Sequence, residues 1–209
     1  MYGIETAALI AATFLAAGFI KGAIGLGLPV VVLGLLAPAL GMREALALFL
    51  IPAIAANSWQ MLSGPWLGQL FRRMWPFLLA AAIGIWMGTW VLANADTALL
   101  EALLGAVLIV YSIFSLLTPQ LPPPGRRERW MAPLAGGAGG VMFGMTGIFI
   151  VPGILYLQTL GLKRDMFVQA LGLTFITISS TLTVSMAGRN LVSVEEAMAS
   201  AVLLVPTFL

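Results

Sequence analysis

Apolar residues along this chain come in runs of about twenty or more, separated by short polar breaks. The runs cover residues 6–40, 44–63, 74–93, 98–118, 131–160 and 166–187, and a last one opens near Val194. A helix rising 1.5 Å per residue needs about 20 residues to cross a hydrocarbon core of ~30 Å. Within each run the apolar character is continuous rather than alternating, which excludes membrane strands. Backbone amides in lipid must find partners within the chain, so the runs predict helices. The expected class is an all-α integral membrane protein with about seven spans. The first and fifth runs are long and rich in glycine. Gly22, Gly25, Gly27 and Pro29 interrupt one, and Gly144, Gly147 and Pro152 interrupt the other. Glycine and proline weaken a helix, so breaks are predicted at 22–29 and 144–152.

Composition strengthens this picture. Of 209 residues 61% are hydrophobic and 9% charged, and the mean hydropathy is +1.05. Soluble domains carry about 25% charged residues, so a water-facing surface cannot be built here. The net charge of +2 gives no reason to expect nucleic acid. There is no Cys and no His. Thiolate and imidazole metal sites, Ser–His–Asp triads and the usual proton shuttle are excluded, and no cofactor or metal is implied. The start, MYGIE, has no basic segment and carries Glu5, so the first run is read as a retained span rather than a signal peptide.

Two halves show the same order of landmarks. Gly18, Gly22 and Gly25 precede Pro29, as Gly140, Gly144 and Gly147 precede Pro152. LGMRE at 40–44 resembles LGLKR at 160–164, and LSGPW at 62–66 stands where MAGRN stands at 186–190. Residues 1–118 form a first repeat with four hydrophobic stretches, 119–130 a Pro/Arg-rich cytoplasmic linker, and 131–209 a second repeat. The second copy shows three stretches and is expected to be incomplete at its C-terminus. Parallel and inverted arrangements both remain open, as does whether 6–40 and 131–160 cross fully or re-enter. Duplicated halves are common in secondary transporters.

Polar residues inside the runs mark the chemistry. Lys21 is the only charge between Glu5 and Arg43. A charge at the bilayer centre costs ~2.5–3.5 kcal/mol, so it needs a partner, a cavity, or a path to the interface by snorkelling. Asn57 and Gln60, three apart, share a helix face. Thr177 and Ser180 occupy the corresponding place in the second half, Thr146 lies in the second glycine break, and Gln169 is a further buried-amide candidate. The glycine breaks have two readings. A broken helix can present amides to an anion, and small residues four apart also let helices pack closely. Together Lys21, Gly22, Gly25, Asn57, Gln60, Thr146, Gly147 and Gln169 form the candidate substrate-binding set, with the two breaks expected to face each other near the midplane.

The segments GFIKGAIGLGLP, LGMREALALFLIPAIAANSWQ and GGVMFGMTGIFIVPGILYLQTLGLKRDMFVQALG resemble the TauE/SafE sulfite exporter family over nearly the whole chain. The resemblance implies a duplicated helical permease of about eight spans that moves sulfite, sulfonates or related organic anions. Lys21 departs from it, because many members look uncharged there, and so does the C-terminal end, which lacks the last expected span. The expected function is an anion permease or exporter of the cell (inner) membrane, not an enzyme, with a small anion and the bilayer as partners. A membrane assembly or accessory subunit that transports nothing is the alternative, and an intramembrane enzyme a weaker third. Nothing in the sequence sets the oligomeric state.

Basic residues in short loops set orientation. Arg72 and Arg73 lie between the second and third spans, and Arg126, Arg127 and Arg129 lie in the linker. Both groups are assigned to the cytoplasm. Cysteines placed at Arg72 and Arg126 should resist an impermeant thiol reagent added outside intact cells. Labelling at both would reverse the orientation.

Overall fold

The computed structural model describes residues 3–117 and 122–208. Residues 118–121, with the end of the predicted first repeat and the start of the linker, lie outside the described residues. The described chain is helical, without strands. Its elements are α1 (Ile4–Ile24), α2 (Leu28–Leu40), α3 (Met42–Leu62), α4 (Leu67–Asn94), α5 (Thr97–Leu117), α6 (Glu128–Thr146), α7 (Leu155–Thr159), α8 (Arg164–Gly188), α9 (Val194–Val202) and α10 (Leu204–Phe208). A kinked turn at Ile150–Ile154, with extended backbone at Val151, precedes α7.

Both predicted breaks are present. Gly25 ends α1 in the left-handed region (φ 75), where its N–H donates to the Lys21 carbonyl. Gly147 ends α6 in the same conformation (φ 69), donating to the Phe143 carbonyl. A side chain is strained at such φ values, which is why glycine stands at both. Helix resumes at Leu28 in one half and, beyond a kink with extended backbone at Val151, in the segment leading to α7 in the other.

Among the described residues, four helices, α1, α3, α4 and α8, are by length and composition able to cross a membrane. The seven predicted runs do not map one to one onto unbroken helices. The first run splits into α1 and the 13-residue α2, and the fifth into α6 and α7. The last run splits into α9 and α10. Pro206 lies four residues beyond Val202 and has no N–H to bond its carbonyl, so a single helix cannot run through it with its ladder intact. A further difference concerns Arg72 and Arg73. They are not in a loop, because α4 begins at Leu67 and carries them in its second turn. Arg73 forms a two-pronged ion pair with Glu128, 2.7 and 2.8 Å, at the start of α6. The two basic groups therefore share one end of the bundle.

Glycine contacts set the packing. On α6, Gly136, Gly140 and Gly144 lie against Phe77, Ala81 and Ile85 of α4. Both series climb four residues at a time, so α4 and α6 run in the same direction. A Cβ on Gly140 would strike the Ala81 carbonyl. Small-residue seams of this kind let membrane helices meet backbone to backbone. Between α3 and α8 the order reverses. Asn57 meets Ser179, while Met61 and Gly64 meet Gln169. The helices holding the matched landmarks of the two halves are thus antiparallel.

Gly140→Val should cost about 3 kcal/mol or more, since overpacking meets backbone rather than a movable side chain. Gly22→Ala, with nothing within 4 Å of the added carbon, should stay within about 1 kcal/mol of the parent or gain stability. Thermal unfolding in detergent, followed by tryptophan fluorescence, compares the two.

Candidate functional site

Lys21 sits one turn before the first break, so its side chain leaves α1 where the helix ends. Its ammonium donates to Asn57 Oδ1 at 2.7 Å and to Gln60 Oε1 at 3.2 Å. The Phe175 ring lies 5.6 Å from the same nitrogen. Among the described residues the one ion pair is Arg73 with Glu128. Lys21 is therefore solvated by neutral amide oxygens and an aromatic face, and its charge is not cancelled. Two of its three N–H donors are used, which leaves one for a further acceptor.

The amides that hold Lys21 are themselves held. Asn57 Nδ2 donates to Ser179 Oγ at 3.5 Å. Gln60 Nε2 donates to the Gly25 carbonyl at 3.2 Å and the Val168 carbonyl at 3.1 Å. Gln60 thus ties the open end of α1 to α8 while its oxygen faces Lys21. The close approach of α8 depends on Gly172, where a Cβ would strike Met61 N.

Of the predicted set, the structure brings Lys21, Gly25, Asn57 and Gln60 together. Gly22 faces the open groove beside them. Gln169 is fully buried next to Val168, and its amide is used up elsewhere. It accepts from Trp66 N at 2.9 Å and donates to the carbonyls of Met61 at 2.9 Å and Gly64 at 2.5 Å. It fixes the turn between α3 and α4, directly behind Gln60. Thr146 donates to the Met142 carbonyl and accepts from Ile148 N. Gly147 packs on Leu33 and Leu46. The breaks do not face each other. Gly25 neighbours Gln60 near the end of α3, and Gly147 neighbours Leu46 near its beginning. Fourteen residues of helix separate these points, roughly 21 Å. The antiparallel arrangement of α3 and α8 explains the separation.

Sequence reasoning missed Ser179, Phe175 and Gly172. In the glycine register Asn57 stands 32 residues beyond Gly25, and Ser179 stands 32 beyond Gly147. Counting from the LGMRE landmark instead pointed to Thr177 and Ser180. Thr177 bonds the Leu173 carbonyl of its own helix.

A groove of about 790 Å3 opens beside this cluster, lined by Lys21, Gly22, Trp59, Gln60, Phe19 and Phe208 among others. A second, small pocket of about 10 Å3 also borders Lys21, with Leu28, Phe49, Asn57 and Phe175 in its lining. Lys21 therefore borders both spaces.

The profile of the family described as "Sulfite exporter TauE/SafE" matches residues 9–209. The chain belongs to the TauE/SafE sulfite exporter family. No curated protein and no solved structure matches it. TauE/SafE proteins are membrane transporters, so membership implies a multi-pass exporter of sulfite or a related anion. A half-buried cation without an acid partner among the described residues, bordering a groove, is a chemical feature suited to that task.

Gln169→Leu should remove the partners of one N–H and two carbonyls at the α3–α4 turn. Leaving buried groups unpaired costs about 1–3 kcal/mol each, so a loss of about 2 kcal/mol or more is expected. Thermal unfolding in detergent checks it, and parental stability would mean that the turn is held by other contacts.

Proposed function

We propose that this protein exports a small anion, such as sulfite (as hydrogensulfite in its monovalent form), a sulfonate or a related carboxylate, and that Lys21 meets its charge. The observation that carries this reading is the Lys21 ammonium, solvated by Asn57 and Gln60 without an acid partner among the described residues, on a side chain that lines an open groove. A snorkelling lysine would spread to the interface, whereas this one is held inward by two amides. An accessory subunit that moves nothing would have no need of a cavity at its one intramembrane cation.

The remaining roles follow from position. Asn57 and Gln60 present the lysine, Ser179 and Gln169 position those amides, and Gly22 and Gly25 keep the approach free of side chains. Thr146 and Gly147 form the matched break of the second half. We read the halves as an inverted repeat, as in many secondary transporters, with the basic end of the bundle in the cytoplasm of a cell-membrane protein. An anion leaving a cell gains ~2.3 kcal/mol per 100 mV of inside-negative potential. The membrane stretches offer no His, so export driven by potential and gradient is the simplest coupling.

The test is efflux of sulfite and methanesulfonate from proteoliposomes at a set potential. Lys21→Met should lower flux at least a hundredfold while the protein stays folded and inserted. Lys21→Arg should keep part of it, because the charge remains but the forked, wider head fits less well. Parental flux in Lys21→Met at matched incorporation would sink the proposal.

A further inference from the structure

We propose that the basic end of the bundle holds one anionic phospholipid, its phosphate on Arg127 and one acyl chain in a groove between α6 and α7. This groove, of about 520 Å3, is separate from the space beside Lys21, and Arg127, Met131, Leu134, Pro152, Leu155 and Tyr156 are among its lining residues. Arg127 stands at the start of α6, and Ala135, which also lines the groove, lies two turns further on. That stretch is roughly 12 Å of helix at 1.5 Å per residue. It is close to the hydrocarbon depth of one leaflet, about half of ~30 Å. The groove therefore runs from headgroup level to chain level.

Two neighbours fix that level. Trp130 is 67% exposed, with the Arg129 guanidinium 5.6 Å from its ring, and tryptophans of membrane helices gather at the headgroup boundary. One turn deeper, the apolar Leu134 is 71% exposed. Charge then selects the head. Glu128 is the one acid among the linker arginines, and Arg73 claims it with two hydrogen bonds. Arg126, Arg127 and Arg129 are exposed and have no acid partner among the described residues. Lys163 and Arg164 add to the same end, just past Leu160, whose carbonyl accepts from Arg73. A basic pocket between membrane helices recruits anionic lipid heads, whereas a zwitterionic head leaves this charge standing.

Other occupants fit less well. A second copy docked through this face in a two-fold dimer would set the same arginines against each other. A soluble phosphate would satisfy Arg127 and leave the apolar walls uncovered. A phospholipid answers both, because its charged phosphate is joined to its chains. Its chain in the groove lies along Pro152 and Leu155, within and just after the kinked turn of the second break. An occupied site therefore braces that break from the lipid side.

The experiment is native mass spectrometry of the full chain in detergent, titrated with phosphatidylglycerol or with phosphatidylcholine of the same chains. One phosphatidylglycerol should bind at least tenfold more tightly than phosphatidylcholine. Arg127→Gln should weaken it about fivefold, the effect of one basic residue at an anionic surface, and Arg127→Lys should keep most of the affinity. Ala135→Phe should fill the groove and weaken binding at least fivefold with every charge in place. If that variant fails to fold, Leu134→Gln, at an exposed position, makes the groove polar and should weaken binding in the same direction. Arg43→Gln removes an exposed charge at the other end of α3 and should change nothing. Equal affinity for the two lipids would overturn the inference. An equal loss in Arg43→Gln would reduce the preference to net charge and overturn it too. Parental binding in the groove variant would leave the lipid on surface arginines alone, against the proposal. Displacement of phosphatidylglycerol by glycerol phosphate would assign Arg127 to soluble anions and likewise sink it.

Discussion

A positive charge inside a membrane bundle must be solvated, and the identity of what solvates it decides what the site can do. A carboxylate beside Lys21 would have made a neutral pair and a structural bridge. Two amide oxygens lower the cost of burial and leave the charge intact. Neutral partners hold a cation less firmly than an acid does, so their geometry has to be enforced from behind. Ser179 orients Asn57, the Gly25 and Val168 carbonyls orient Gln60, and Gln169 locks the turn that follows. Each of these contacts requires a backbone feature, either the left-handed end of α1 at Gly25 or the close approach of α8 at Gly172.

The glycines divide by location into the two uses that the sequence leaves open. Gly136, Gly140 and Gly144 are contact residues, pressed onto the α4 backbone. Gly25 and Gly147 are conformational, since each ends its helix with a positive φ. Gly18 belongs with the first group, lying against the Thr207 backbone of α10, while its neighbour one turn on, Gly22, meets nothing. One spaced series thus begins as packing and ends as an open wall of the groove. The matched series in α6 stays packed through Gly144, which is why the second break is filled by Leu33 and Leu46 and the first is not.

Much of this was legible in the sequence because lipid imposes simple rules. Continuous apolar runs gave the helical class, and glycine followed by proline gave the breaks at Gly25 and Gly147. The start of α4 was hidden because Arg72, Arg73 and Pro76 look like the end of a loop. A helix may carry exposed charge before it enters hydrocarbon, and proline is accepted within it. Ser179 was hidden by the choice of landmark, since LGMRE and the glycines give registers two residues apart. Lys21, Asn57 and Gln60 stood out as expensive to bury. That they meet was not readable, because α1 and α3 are brought together by the turn at residues 25–27 and not by sequence spacing.

On the proposed function, the absence of an acid beside Lys21 among the described residues has a consequence for direction. A site with one uncancelled positive charge becomes neutral when a monoanion binds. If the loaded form crosses as a neutral complex, the potential does no work on it. The empty form remains positive, and an inside-negative potential favours its inward-facing state by up to ~2.3 kcal/mol per 100 mV. The empty site is then drawn back to the side where cargo is loaded for export. A single lysine held by neutral amides would in this way supply both the recognition of the anion and the electrical return of the carrier, with no need for a titrating group in the spans.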